Sequence, residues 1–117
     1  MHWLRWFTRN WADTSEDGDA ALVPPILSLP LAEALVHIEE AIGRLRRWRV
    51  EKVDSDKLTI HACRQTRLLR FVDDILIRLE PTAQGTRVHL RSQSRVGVGD
   101  FGQNRRNLQE LLQALAK

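Results

Sequence analysis

The sequence has few of the residues that mark disulfide-stabilised, metal-binding or membrane-spanning proteins. Cys63 is the only cysteine, so no internal disulfide can form, and we expect a buried or half-buried thiol. The four histidines show no metal-ligand spacing, so we expect no metal and no cofactor; they are His2, His37, His61 and His89. No apolar run reaches the about 20 residues that a membrane-spanning helix needs.

Neither basic nor acidic residues are in large excess. The 18 basic and 15 acidic side chains leave a net charge of +3, which solubility explains, so nucleic acid is not an expected partner. The chain of 117 residues is 43% apolar and 28% charged, as in one soluble globular domain. Its opening residues lack the apolar core of a secretory signal, so we expect a cytoplasmic protein, with membrane-peripheral attachment as an alternative.

Residues 1–20 form a tryptophan-rich arm and an acidic linker, and residues 21–117 form one domain in this prediction. On a helix, Trp3, Phe7 and Trp11 would stack on one side. Such a stripe is typical either of a terminal helix packed on the domain or of an anchor at a membrane interface. Both interpretations remain open for the arm.

Apolar spacing predicts two helices with strands between them. The first helix begins around Ser28–Pro30, and its stripe comprises Leu31, Leu35, Ile38, Ile42, Leu45 and Trp48. Alternating segments then predict four strands, "RVEKVD", "KLTIHACRQ", "DDILIRLEP" and "TRVHLRSQS". The last helix opens at Asp100, with Gln103 placed as in a capping box. We therefore predict an α+β fold: a four-stranded antiparallel sheet with two helices packed on one face.

Polar residues enter the core face at one end of the predicted hairpin. Inward positions change there from aliphatic residues to Asp73, Ser92 and Ser94, and Asn104 interrupts the apolar stripe of the last helix. A buried asparagine needs hydrogen-bond partners, because an unsatisfied amide costs about 1–3 kcal/mol. We predict a polar network of these four residues with Asp100, which caps the helix start.

Arg91 and Arg95 alternate onto the outer face of the hairpin, near Asp74. A structural interpretation pairs them with Asp74 around a strand-to-helix junction. A functional interpretation makes Arg95, the serines and the helix start an anion pocket, although Asp100 already occupies the amides that an anion would use. A third interpretation uses Asp73 or Asp74 as the general base of a hydrolase-like enzyme.

Two separated motifs carry a resemblance to a known family. "FVDD" and "RSQSRVGVGDFGQN" resemble the F-x-D-D and R-S-x-S-R-x-G-x-x-D-x-G-x-N pattern of the DUF1499 family, a domain of unknown function. The resemblance covers roughly residues 22–117. Members commonly carry an arginine where this chain has Asn107. The resemblance implies no activity, cofactor or partner.

These observations predict a non-catalytic binding or accessory module. Its contact site comprises Arg91, Arg95 and Asp74 with the start of the last helix, and its partner is a protein or a small anionic ligand. The hydrolase-like enzyme and membrane attachment by residues 1–11 are the alternatives.

Overall fold

The computed structural model describes residues 11–15, 20–66, 71–95 and 102–117. They form six strands and two α-helices, with a short 3-10 turn at Ala20–Leu22. In chain order the elements are β1 (Trp11–Asp13), β2 (Ile26–Leu27), α1 (Leu31–Gly43), β3 (Trp48–Asp54), β4 (Thr59–Gln65), β5 (Val72–Thr82), β6 (Gly85–Ser94) and α2 (Gln103–Leu115).

The strands form one antiparallel sheet in the order β1-β6-β5-β4-β3, and β2 also pairs with β6. The predicted α+β class is confirmed, and the four predicted strands are present as β3 to β6, but the prediction is only partly right because the sheet of the described residues has six strands. The additional strands, β1 and β2, have three and two residues, too few to show an alternating pattern. They pair with successive parts of the outer edge of β6, whose backbone groups would otherwise be unpaired.

Helix α1 is shorter than its apolar stripe predicts. Its N-cap is Pro30, with no side-chain cap, and it ends at Gly43. The amides of Arg44 and Leu45 bond to carbonyls three residues back, which tightens and closes the last turn. Trp48, predicted as part of the helical stripe, begins β3 after a left-handed residue at Arg47 (φ 67°).

Helix α2 begins at Gln103 behind Gly102, whose φ of 82° places it in the left-handed region that glycine adopts without strain. The predicted start at Asp100 lies outside the described residues. The side chain of Gln103 donates forward to Asn107 and accepts from Arg106, so it does not complete a capping box.

Both helices pack on the same face of the sheet. Inward aliphatic residues of β4, β5 and β6 join buried residues of α1 and α2 in one core. Its fully buried members on these elements include Ile38, Ile42, Ile60, Ile75, Ile77, Val88, Leu90, Leu108 and Leu111. No described element covers the opposite face, which we call the open face. Its side chains are partly or fully exposed around Leu76 and Gln93.

Candidate functional site

The alternation of β6 divides the "RSQSR" motif between the two faces of the sheet. Ser92 is completely buried on the core face, whereas Arg91 and Arg95 lie on the open face with side chains 41% and 49% exposed. On β5, Asp73 pairs with Ser94 and Asp74 pairs with Gln93, so the two aspartates also separate. The motif therefore contributes to an inner set and an outer set of side chains.

The inner set contains a chain of short hydrogen bonds. Ser92 Oγ donates to Asn104 Oδ1 at 2.6 Å, and Asn104 Nδ2 donates to Ser94 Oγ at 2.8 Å. Asn104 has no exposed surface. These contacts join β6 to the first turn of α2, and they satisfy an amide whose burial would otherwise be costly. Asp100, the remaining predicted member, lies outside the described residues.

Asn107 belongs to this set but was missed in the sequence. Its Nδ2 donates to Asp73 Oδ2 at 2.7 Å and to Ser92 Oγ at 3.1 Å. Asn107 is fully buried and Asp73 is 2% exposed, so this is a buried amide–carboxylate contact. Its spacing of three residues from Asn104 on the same helix was the available signal. We call Asp73, Ser92, Ser94, Asn104 and Asn107 the junction network.

A second polar contact lies next to the junction network, further along α2. Glu110, three residues after Asn107, accepts hydrogen bonds from Arg64 Nε at 3.1 Å and from Trp48 Nε1. Arg64 pairs with both Trp48 and Asp73 in the strand register. Successive polar residues of α2 thus contact β6, β5 and then β4 with β3, which sets the position of the helix along the sheet end.

The outer set centres on Arg95. Its Nε and Nη2 bond to the two oxygens of Asp74 at 2.9 and 2.8 Å, and Nη2 reaches Glu51 at 3.0 Å. Hydrogen bonds to Asp74, its charge and that of Glu51 raise the pKa of Arg95 above its ordinary value. This bidentate arrangement is the geometry that favours arginine–carboxylate pairing.

The bulge of β3 places Glu51 beside Cys63. A hydrogen bond with the Cys63 thiol, followed by the charges of Arg95 and Arg49, holds the pKa of Glu51 below its ordinary value. Burial is the main cause that raises the pKa of the Cys63 thiol, and the hydrogen bond and charge of Glu51 raise it further. Because the thiolate is the nucleophilic form, this environment disfavours a nucleophilic role for Cys63.

Arg91 lies on β6 beside the N-terminal edge strand β1, where it pairs with Asp13. Its guanidinium stands over the Trp11 ring at 4.5 Å from the centroid, and Nη1 contacts Asp13 Oδ2 at 3.4 Å. Trp11 is part of β1, so the predicted helical stripe does not extend to this residue. The other two predicted membrane-interface residues, Trp3 and Phe7, lie outside the described residues, and that interpretation stays a prediction.

A shallow depression of about 180 Å³ lies on the open face beside Arg91; it is lined by His61, Asp74, Ile75, Leu76, Arg91 and Gln93. Within the described parts of the chain, histidine, cysteine and acidic residues form no cluster that could hold a metal ion. No helix in those parts is both long and apolar enough to cross a bilayer.

A six-stranded sheet covered on one side by two helices, with a polar junction at its end, defines a small two-layer α+β domain. The family model described as "Protein of unknown function (DUF1499)" matches residues 8–115. The chain belongs to this family, and the resemblance predicted from the two motifs is confirmed.

Comparison with solved structures finds similarity to the X-ray crystal structure of protein CV1439 from Chromobacterium violaceum. The two share 13% sequence identity with a TM-score of 0.48, over 92% of this chain and 95% of that one. No curated protein matches the sequence.

Proposed function

We propose that this domain is a non-catalytic binding module that contacts a protein partner or a small anionic ligand through its open face. The contact residues are Arg91, Arg95 and Asp74. The observation that supports the proposal is the division of the motif: its inward residues are engaged in the buried junction network, whereas its arginines stand on a face that no described element covers.

Fixed orientation makes these arginines suitable for recognition. Arg95 is held by Asp74 and Glu51, and Arg91 is held between Trp11 and Asp13. Side chains ordered before binding lose less conformational entropy when a partner arrives. The start of α2, also predicted as a contact, follows residues 96–101, which lie outside the described residues, so the proposal rests on the open face.

The hydrolase alternative gains no support from the two aspartates. Asp73 is buried and accepts a hydrogen bond from Asn107, and both oxygens of Asp74 accept from Arg95. A general base must reach the proton that it removes. Asp73 is buried and Asp74 is engaged by a guanidinium, so neither gives a reason to propose a catalytic step.

A contact role and a structural role for the arginines predict different results. We expect Arg91→Gln and Arg95→Gln to lower the free energy of unfolding by at most about 1 kcal/mol each, as for exposed ion pairs. We also expect each substitution to weaken the binding of a short polyglutamate peptide, measured by amide NMR shifts. This binding should itself weaken as salt is added. Arg46→Gln, at an exposed position in the turn after α1, is the control. Unfolding losses well above that value, with peptide shifts unchanged or absent, would contradict the proposal.

A further inference from the structure

The two outer arginines differ in how much of their hydrogen-bonding capacity is used inside the protein. Arg95 directs donors at three carboxylate oxygens, two on Asp74 and one on Glu51. Among the described residues, Asp13 alone accepts a hydrogen bond from Arg91, at 3.4 Å and through one nitrogen. Arg91 therefore keeps more donors for a small ligand than Arg95 does.

The surroundings of Arg91 combine polar groups with an apolar floor. His61, Leu76 and Arg91 lie side by side across β4, β5 and β6 in the strand register. Leu76 is 36% exposed, and the exposed amide of Gln93 lies two residues from Arg91 on the same face. Asp74 also lines the depression, but both of its oxygens accept from Arg95, so its charge is offset.

We propose that this depression binds an organic carboxylate, with the carboxylate on Arg91 and an adjoining apolar body over Leu76. The proposal rests on the proposed function and deepens it by naming the ligand class and the arginine. The planar guanidinium matches a carboxylate with two parallel hydrogen bonds, and the leucine floor favours an apolar group over a second charge.

Size supports a small ligand. The depression has a volume of about 180 Å³. A cavity of about 150 Å³ can hold one benzene ring, so the space suits a ligand of about that size. Benzoate has this character, since it joins one carboxylate to one flat apolar ring. Inorganic phosphate has the charge without the apolar body, and benzamide has the ring without the charge.

The test is an amide NMR titration of the full chain with benzoate, benzamide and inorganic phosphate. We expect benzoate to shift the signals of Leu76, Arg91 and Gln93 with a Kd on the order of 1 mM, and the other two probes to bind at least about tenfold more weakly. Arg91→Gln should weaken benzoate at least about tenfold. Arg87→Gln, which removes an arginine from the same strand and face, should change it less than about twofold.

The proposal would be overturned if benzoate bound no more tightly than benzamide, or no more tightly than phosphate. It would also be overturned if Arg91→Gln left the Kd for benzoate unchanged. N-acetylphenylalanine identifies the source of the carboxylate: tighter binding than benzoate indicates the carboxyl end of a protein chain, and weaker binding indicates a free acid. If polyglutamate binds the open face while benzoate does not bind, this inference fails and the proposed function stands. If neither probe binds, both fail.

Discussion

Replacement of Asn107 by leucine tests whether the junction network holds α2 on the sheet. The side chain is fully buried, and its amide nitrogen donates to Asp73 at 2.7 Å and to Ser92 at 3.1 Å. Leucine has a similar volume but no donor, so the substitution removes these hydrogen bonds while leaving little empty space. We expect a folded but clearly destabilised protein.

The magnitude follows from the contact with the buried carboxylate of Asp73. A hydrogen bond to a charged group contributes about 1.5–3 kcal/mol, and the bonds with the Ser92 hydroxyl and with the Gln103 amide, which donates to Asn107 Oδ1, contribute about 1 kcal/mol each. Burial of the added methyl groups of leucine offsets part of this loss, by about 0.8 kcal/mol per group. The expected net loss in the free energy of unfolding is about 2–3 kcal/mol, a large share of the 5–15 kcal/mol typical of a domain.

Urea unfolding followed by circular dichroism measures this loss. With a slope of about 1.5 kcal/mol per molar urea, the midpoint should fall by about 1.3–2 M. The slope itself should stay unchanged, because the fold and the surface exposed on unfolding are the same. Gln113→Leu is the matched control, since it replaces an exposed amide on the same helix. Its unfolding free energy should change by less than about 0.5 kcal/mol.

A double-mutant cycle with Ser92→Ala separates the network from simple packing. Ser92 contacts both Asn104 and Asn107, so its effect should not add to that of Asn107→Leu. We expect a coupling energy of about 0.5–3 kcal/mol. A midpoint for Asn107→Leu equal to that of Gln113→Leu, or strictly additive losses in the cycle, would refute the idea that these side chains act together.

Two further predictions concern a turn and the acid limit of stability. Gly85→Ala should lower the free energy of unfolding, measured in urea, by at least about 2 kcal/mol. Gly85 has φ 144°, and an added Cβ would overlap the Leu27 carbonyl oxygen. Gly43→Ala is the control: it has open space around it and should be neutral or stabilising. The free energy of unfolding should fall as the pH drops through the ordinary carboxyl range. Hydrogen bonds lower the folded-state pKa of Asp54 and Glu80, so the unfolded chain binds more protons than the folded chain in that range. Asp54→Asn should make this decline less steep, and an unchanged decline would contradict the role of Asp54.

The fold class could be predicted because the long elements follow regular spacing. In β5 and β6, alternation marks every inward residue from Ile75 to Leu79 and from Val88 to Ser92. The two short strands could not be found this way, since their place in the sheet depends on pairing with β6. The end of α1 was missed for a related reason: Trp48 continues the helical spacing, but the chain turns at Gly43 and Trp48 packs from a strand.

Only the part of the site that depends on spacing within a single strand or helix could be predicted. The inward direction of Ser92 and Asn104 follows from alternation and helical spacing. Arg64 and Glu110 were missed because their contact joins distant parts of the chain, although Arg64 continues the alternation of Ile60 and Ala62. The bond from Arg95 to Glu51 also depends on a bulge that no spacing rule locates.

The inner and outer sets are coupled because they alternate on the same strand. A shift of β6 by one residue would turn Ser92 outward and bury the guanidinium of Arg91 on the core face, which is costly for a charged group. The junction network opposes that shift, since Ser92 and Ser94 bond to Asn104 only in the observed register. The same register places Arg91 over Trp11 and Arg95 beside Asp74. A structural interpretation of the serines and a contact interpretation of the arginines are therefore compatible, because the buried bonds determine where the exposed charges stand.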